Sequence, residues 1–254
     1  MATNQENLSQ TLKFTLPSGY YVVIREMNGE DDDILSNKHD QQNLEHHTNF
    51  LSTIIVDTNL PMNINGKITK EAALEILLND KYTILFYCRI FSIDPIIKFP
   101  YTWTKSDGKT KDTVQYEDDL NDYVWDFSTV PPKEGEEGYN QYRVKQYAEG
   151  AYNKLEHTLA SGQKVRLGLL NTKSERILAT AIIEQNYSRP KDLISREMEV
   201  LVEGKWMLVE NFSMFSKRDM TELYQLTELI DPTFLGISEL LYEPTGDIVK
   251  INLI

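Results

Sequence analysis

Short runs of alternating hydrophobic and polar residues recur along the chain, and each is interrupted by residues typical of tight turns. The first is LKFTLPSGYYVVIREM, where Pro17-Ser18-Gly19 separates two β-rich runs and Gly19 can supply a positive φ. Similar runs surround Ser106-Asp107-Gly108 and Pro244-Thr245-Gly246. The pattern predicts a β-hairpin at each of these places.

Between the hairpins, hydrophobic residues recur at intervals of three and four, which is typical of helices. In the first half this spacing predicts a helix from about Leu44 to Val56 and another that begins at the N-cap Thr69. It also predicts a buried central helix in KYTILFYCRIFSID, which ends where Asp94-Pro95 disfavours helical geometry. The acids Glu30 to Asp33 suit the first turn of a further helix.

The second half contains two clear helical patterns. NTKSERILATAIIEQ predicts a short helix, and SKRDMTELYQLTELIDP predicts a longer one with Ser216 as N-cap and a stop at Asp231-Pro232. Between them, KDLISREMEVLVEGKWMLVENF combines helical spacing with an apolar stretch that fits neither pattern alone.

The first hairpin sequence occurs twice. FTLPSGYYVVIRE, Phe14 to Glu26, returns 143 positions later as HTLASGQKVRLGL, His157 to Leu169. Both halves then run through helices to an Asp-Pro stop and a final hairpin, so the sequence predicts an α+β fold of two small lobes, each with helices and short antiparallel hairpins. Internal duplication is one explanation, and chance recurrence of turn chemistry is the other.

The predicted domain organisation follows from composition. Residues 1–10 are polar and are expected to form a disordered lead-in, and residues 11–130 an N-terminal α+β lobe. Residues 131–138, with two prolines and two glycines, are expected to form an exposed junction loop. Residues 139–254 would then form the C-terminal α+β lobe.

Composition narrows the classes of partner. With 41% apolar and 26% charged residues the chain has a globular composition, and its net charge of −13 disfavours nucleic acid and anionic membranes as partners. Its one cysteine, Cys88, excludes an intramolecular disulfide and a multi-cysteine zinc site. The polar N-terminus and the absence of an apolar run of about 20 residues predict a cytoplasmic protein without a membrane partner.

The sequence assigns no catalytic, cofactor-binding or metal-ligating residue, predicts no cofactor and leaves the partner-binding residues unknown. Glycine-rich phosphate loops and nucleophile-elbow patterns are absent. The adjacent His46 and His47 lack the i, i+4 spacing of metalloprotease helices and are expected on the surface near a helix start. Cys88, among Phe86, Tyr87 and other large hydrophobic residues, is expected in the core.

Acidic and aromatic residues form runs of their own. The acid runs Glu30 to Asp33, Glu117 to Asp119 and Glu134 to Glu137 lack calcium-loop spacing, so the first is interpreted as a helix start and the others as solvated surface. Aromatic residues cluster from Tyr101 to Tyr152 and interleave with acids, which suits protein contact better than base stacking. Internal cover of the contact between the lobes is the alternative.

Three stretches in this order carry a resemblance to a known family. LPSGYYVVIREMNGEDDDIL, LLNDKYTILFYCRIFSIDP and LTELIDPTFLGISELLYEPTGDIVKINL resemble the baseplate hub and hub-assembly proteins of T-even-type bacteriophages and related contractile-tailed phages. The resemblance implies a non-enzymatic tail protein whose partners are other tail or baseplate proteins. It would be found in the host cytoplasm during assembly and, if it is a structural component, in the virion.

The chain departs from this family in one respect. Several relatives carry Cys-x-x-Cys-Gly in the hairpins that follow the helical blocks, which is typical of a zinc ribbon, whereas the corresponding turns here are WTKSDG and YEPTG. Zinc held in that way in relatives therefore cannot be bound here.

Three hypotheses about function remain open at the level of sequence. The first is a tail component that either stays in the particle or acts as an assembly chaperone, docking through hairpin edges and acidic and aromatic surface. The second is a cytoplasmic adaptor or regulatory module unrelated to phage tails. The third is a hydrolase that uses scattered carboxylates. Oligomeric state is not predicted.

Overall fold

The computed structural model describes residues 10–104, 108–123, 150–230, 239–242 and 247–250. Over these residues helices alternate with small antiparallel sheets, so the predicted α+β class is confirmed. We refer to residues 10–123 as the N-terminal lobe and to residues 150–250 as the C-terminal lobe. Residues 1–9 and the predicted junction loop 131–138 lie outside the described residues, so the domain boundaries stay predictions.

The N-terminal lobe begins with the predicted hairpin. Strand β1 (Thr11–Thr15) pairs antiparallel with β2 (Tyr21–Arg25). The Leu16 amide donates to the Tyr20 carbonyl (2.7 Å) and the Gly19 amide to the Leu16 carbonyl (2.8 Å), which closes the turn. Gly19 has a φ of 84°, a conformation that glycine adopts without a steric penalty.

Three helices follow the hairpin: α1 (Gly29–Ser36), α2 (Lys38–Gln42) and α3 (His46–Ile54). The acidic start predicted for the first is confirmed, because Asn28 caps α1 and the Asp31 carboxylate accepts the Asn28 amide (2.9 Å) in a capping box.

The helix predicted to reach Val56 ends earlier. Ile55–Thr58 form strand β3, which pairs antiparallel with β2 across a bulge at Val23 and Ile24. The helical interpretation was wrong here because pairing with the hairpin decides the conformation of these residues, and β-branched side chains such as Ile55 and Val56 pack well on a sheet.

The next two helices are α4 (Lys70–Ala73) and α5 (Leu78–Ser92). Thr69 caps α4 as predicted, accepting the Ala72 amide (3.2 Å). Helix α5 is the predicted buried helix of this lobe and ends before Asp94-Pro95. Strands β4 (Ile96–Thr104) and β5 (Lys111–Asp119) then pair as the predicted second hairpin, and a 3₁₀ turn follows at Leu120–Tyr123. Residues 105–107 of its turn lie outside the described residues.

The C-terminal lobe begins with the second copy of the first hairpin. Strand β6 (Leu155–Thr158) pairs antiparallel with β7 (Lys164–Leu167). The turn repeats the first in detail: the Leu159 amide donates to the Gln163 carbonyl (2.9 Å), and Gly162 has a φ of 87°. Both copies of the repeated sequence are therefore hairpins, as predicted.

The remaining elements of this lobe are α6 (Thr172–Ile183), α7 (Arg189–Ser195), β8 (Glu199–Val202), β9 (Lys205–Leu208), α8 (Lys217–Ile230), β10 (Glu239–Tyr242) and β11 (Asp247–Lys250). Strands β6 to β9 form one antiparallel sheet in chain order, and β10 pairs with β11 as predicted. The stretch that fitted neither pattern is thus α7 followed by a hairpin. Asp231-Pro232 and Pro244-Thr245-Gly246 lie outside the described residues.

Each lobe has a hydrophobic cluster of its own. In the N-terminal lobe it joins the hairpin to α3 and α5, and its buried members include Leu16, Phe50 and Ile84. In the C-terminal lobe it joins the corresponding hairpin to α7 and α8, and includes Leu159 and Leu223. The turn leucine of each hairpin is therefore buried in its own lobe.

The two lobes share an order of elements. Each has a hairpin, an asparagine-capped helix, a second helix, a strand that pairs with the hairpin, and a late helix. The capping residues Asn28 and Asn171 lie 143 positions apart, the same offset as in the hairpins. Duplication as the origin of this order stays a hypothesis.

Candidate functional site

Backbone hydrogen bonds join the two lobes where α5 and α6 begin. The residues before and at the start of α5, Leu74–Leu78, lie beside Leu170–Lys173. The amides of Leu78, Thr172 and Lys173 donate to the carbonyls of Leu170 (3.1 Å), Ile76 (2.9 Å) and Leu74 (2.8 Å). We call this contact the lobe junction. Its backbone pairing fixes α6 against the N-terminal lobe.

A buried ion pair reinforces the lobe junction. Lys81 on α5 is 2% exposed and pairs with Glu175 on α6, whose side chain is 27% exposed. The Tyr82 hydroxyl donates to the other oxygen of the same carboxylate. Burial, and the negative charge of Glu175, raise the pKa of Tyr82. One carboxylate from the C-terminal lobe therefore satisfies two polar groups of the N-terminal lobe.

Two histidines lie next to this pair. The rings of His46 and His47 are 4.1 Å apart at the start of α3, and both residues are half-buried rather than on the surface as predicted. Burial, the Lys81 charge and the His46 ring lower the pKa of His47 to about 2. His47 is therefore neutral at physiological pH and avoids repelling Lys81.

A carboxylate anchors the hairpin of the N-terminal lobe near the lobe junction. Asp80, in the first turn of α5, is 0% exposed and accepts the Ser18 amide (3.1 Å) and the Tyr152 hydroxyl (2.8 Å). Burial outweighs these hydrogen bonds and raises the pKa of Asp80 to about 6. Tyr152 belongs to the aromatic cluster, so one of its members covers the lobe junction internally.

An apolar groove of about 590 Å³ opens on the surface over the lobe junction. Its apolar lining comes from Leu74 of the N-terminal lobe and from Ile177, Ala181 and Ile194 on α6 and α7. Ile177 and Ile194 are each 41% exposed. The groove therefore leaves branched aliphatic side chains from two helices in contact with water.

Charged side chains border this groove: Lys173, Arg176, Glu184 and Lys191. Two of them are neutralised within the chain, because Lys173 pairs with Glu197 and Arg176 pairs with Glu45 (2.6 Å). The second of these pairs also crosses between the lobes. The apolar floor of the groove is thus surrounded by a polar rim, an arrangement typical of protein interfaces.

A smaller polar cleft of about 280 Å³ lies between the lobes. Lys154 in its lining binds Glu199 (2.9 Å), so this charge is engaged within the protein. The hydroxyl groups of Ser174 and Ser195 donate to backbone carbonyls. The described lining contains no histidine, so neither serine has a histidine base beside it.

The other residues considered from sequence lie apart from the groove. Cys88 is 0% exposed, as predicted, and burial raises its pKa. The run Glu117 to Asp119 lies on β5, where Glu117 is exposed and pairs with Lys98 (3.0 Å). Glu134 to Glu137 lie outside the described residues.

Metal sites and membrane-spanning helices can be judged only within the described residues. Within them, no group of three or more His, Cys, Asp or Glu side chains is arranged to hold a metal ion. No helix among the described residues has the length and hydropathy needed to cross a membrane.

Comparisons with known proteins leave the family open. No protein-family model, no curated protein and no solved structure matches the chain.

Sequence reasoning missed both the lobe junction and the groove. Lys81 and Glu175 are separated by 94 positions, so no local pattern relates them. Ile177 on α6 is exposed, whereas its counterpart Ile34 packs against the core of the N-terminal lobe, and the identical residue type gave no signal of this difference.

Proposed function

We propose that this chain is a non-enzymatic docking protein of a bacteriophage tail, either a structural component or an assembly factor of the baseplate or its hub. The apolar groove over the lobe junction carries the docking part of the proposal, and the resemblance described above supports the phage assignment. The groove would receive apolar side chains of another tail protein.

The groove suits protein contact because its apolar side chains remain in water. Ile177 and Ile194 each have 41% of their surface exposed to water, and contiguous exposed apolar groups typically mark interaction sites. The groove is also held rigidly, since the backbone bonds of the lobe junction and the Lys81–Glu175 pair fix α6 below it. A preformed surface loses little conformational entropy on binding.

The test is affinity capture of the tagged chain from phage-infected cells. We expect identified tail proteins to be recovered, and recovery to fall at least about tenfold for Ile177→Glu combined with Ile194→Glu, because two charges would have to be buried. Ile64→Glu combined with Ile93→Glu is the matched control, since these side chains of the N-terminal lobe are 61% and 58% exposed and lie outside the groove. Thermal unfolding of each variant checks that it is folded.

The result can also contradict the proposal. Recovery of tail proteins that is equal for the groove variant and the control would remove the groove from the mechanism. Recovery of host proteins alone would favour the adaptor hypothesis instead. Mass spectrometry of purified virions separates the two forms of the proposal, because a structural component stays in the particle and an assembly factor does not.

A further inference from the structure

The surfaces that meet at the lobe junction have counterparts at the starts of α1 and α8. Residues 170–173, before and at the start of α6, correspond to residues 27–30 at the start of α1, which lie 143 positions earlier. Residues 74–78, at the start of α5, correspond to residues 213–217 at the start of α8. This second match follows from the N-caps of the two helices, Leu77 and Ser216, and from the first-turn acids, Asp80 and Asp219.

Burial differs sharply between the two sets. At the lobe junction Thr172 is 3% exposed and Leu77 is 4% exposed. The counterparts Gly29 and Ser216 are both exposed. The two positions are thus covered at the lobe junction and uncovered at the starts of α1 and α8.

Backbone hydrogen bonding shows the same contrast. At the lobe junction, the amide of the first residue of α5, Leu78, donates to the Leu170 carbonyl (3.1 Å), and the Thr172 amide donates to the Ile76 carbonyl (2.9 Å). Within the described residues, the corresponding amides of Lys217 and Gly29 donate to no protein acceptor, whereas the amide of Glu30, the counterpart of Lys173, donates to the Asn28 side chain (2.9 Å). The amides of Lys217 and Gly29 are therefore available to a second chain.

The charges at the starts of α1 and α8 are complementary. Helix α1 exposes Glu30, Asp32 and Asp33, and α8 exposes Lys217 and Arg218 in its first turn. No ion pair joins these five side chains to other described residues. Asp32 occupies the position of Glu175, the acid that meets Lys81 at the lobe junction, whereas the position of Lys81 is taken by Met220 on α8. The cations of α8 lie two and three residues before Met220, so the acidic side of the contact is on the asparagine-capped helix in both cases and the basic side is shifted by about one turn.

We propose that the chain self-associates head to tail, with the start of α1 in one copy docking against the start of α8 in the next, in the manner of the lobe junction. Because the two surfaces differ, each copy keeps one free end after pairing, and further copies can add until a ring closes or a filament forms. This inference goes beyond the proposed function and does not depend on it.

A charge-exchange experiment on the purified chain tests the contact. Sedimentation equilibrium at low salt is expected to show mass rising with concentration for the wild type. Asp32→Lys with Asp33→Lys, and separately Lys217→Glu with Arg218→Glu, should each weaken association at least about tenfold, because like charges then face each other. An equimolar mixture of the two variants should associate again, since each reversed surface finds an oppositely charged surface on the other variant.

Lys67→Glu with Lys205→Glu is the matched control, because both side chains are exposed and belong to neither surface. It should associate as the wild type does, and thermal unfolding of all variants checks folding. A wild type that stays monomeric at every soluble concentration would overturn the proposal. Association that survives both reversals, or that the mixture fails to restore, would overturn it as well.

Discussion

The two lobes hold the helix after the first hairpin with different chemistry. In the N-terminal lobe, Arg25 forms a two-pronged ion pair with Asp31 (2.6 and 2.7 Å), and Asp31 is 0% exposed. At the corresponding positions of the C-terminal lobe stand Gly168 and Ser174, and the Ser174 hydroxyl donates to the Ser195 carbonyl (2.7 Å). The same order of elements can therefore be held by a buried charge pair or by a neutral hydrogen bond.

The first-turn acids of α5 and α8 differ in the same way. Asp80 accepts the Ser18 amide and has its pKa raised by burial, whereas Asp219 has its pKa lowered, chiefly by the Ser216 hydroxyl. These two equivalent acids therefore respond to pH in opposite directions.

The largest expected effect comes from breaking the buried ion pair. Asp31→Ala leaves Arg25 without its partner, and we expect the free energy of unfolding to fall by about 3–5 kcal/mol. Ser174→Ala removes one neutral hydrogen bond and should cost only about 1 kcal/mol. Urea denaturation measures both. Equal losses for the two variants would contradict the contrast between the lobes.

The second prediction concerns pH. Since the pKa of Asp80 rises from an ordinary value near 4 to about 6, the folded state binds its proton more tightly than the unfolded state. Stability from this group is complete below about pH 4 and is lost as the pH rises through about 6, a change of about 3 kcal/mol. Asp80→Asn, which keeps the shape of the side chain, should remove this dependence.

Asp219 supplies the matched comparison for that experiment. Its folded-state pKa is lowered, so it stabilises the fold above its unfolded pKa and this stability is lost as the pH falls. Thermal unfolding across the acidic range should therefore change with opposite sign for Asp80→Asn and Asp219→Asn. A change of the same sign for both variants would contradict the opposite pKa shifts of Asp80 and Asp219.

The third prediction addresses the lobe junction. Lys81→Met gives the N-terminal lobe the residue type that the corresponding Met220 supplies in the C-terminal lobe. We expect a loss of about 2 kcal/mol, less than for a fully buried pair because Glu175 is 27% exposed. Adding Glu175→Gln, which removes the charge and keeps an acceptor for the Tyr82 hydroxyl, should recover most of this loss in urea denaturation. A double variant no more stable than the single one would show that packing, rather than charge, holds the lobe junction.

The smallest expected effect concerns the hairpin turns, a feature that the two lobes share. Gly19 and Gly162 have φ of 84° and 87°, and an added Cβ would meet no atom within 4 Å in either turn. Gly19→Ala and Gly162→Ala should each cost about 1 kcal/mol from backbone strain alone. Two clearly unequal losses by thermal unfolding would show that the turns are not equivalent.

Most of the fold that could be predicted from the sequence was predicted from local patterns. The hairpins, the N-caps Thr69 and Ser216, and the buried helix α5 follow from turn residues, capping chemistry and spacing, all of which act within a few positions. Strand β3 was missed because its pairing with β2 is a tertiary contact. The burial of Asp31 was missed because, in sequence, it is one of four acids in a row.

The candidate site could not be predicted from the sequence, because it too depends on tertiary contacts. The groove combines Leu74 with α6 and α7, about a hundred positions later, and only the backbone bonds of the lobe junction bring them together. The exposure of Ile177 depends on how the surrounding helices pack, whereas the spacing of hydrophobic residues indicates only that Ile177 lies on one face of a helix.

The distance along the chain between Lys81 and Glu175 has a consequence for synthesis on the ribosome. Lys81 emerges 94 residues before the carboxylate that neutralises it. At typical translation speeds that interval is about 5–20 s. During this time the burial of Lys81 requires either an unpaired charge or the loss of its proton, and both cost free energy. We therefore expect this side of the nascent N-terminal lobe to complete its packing after α6 arrives.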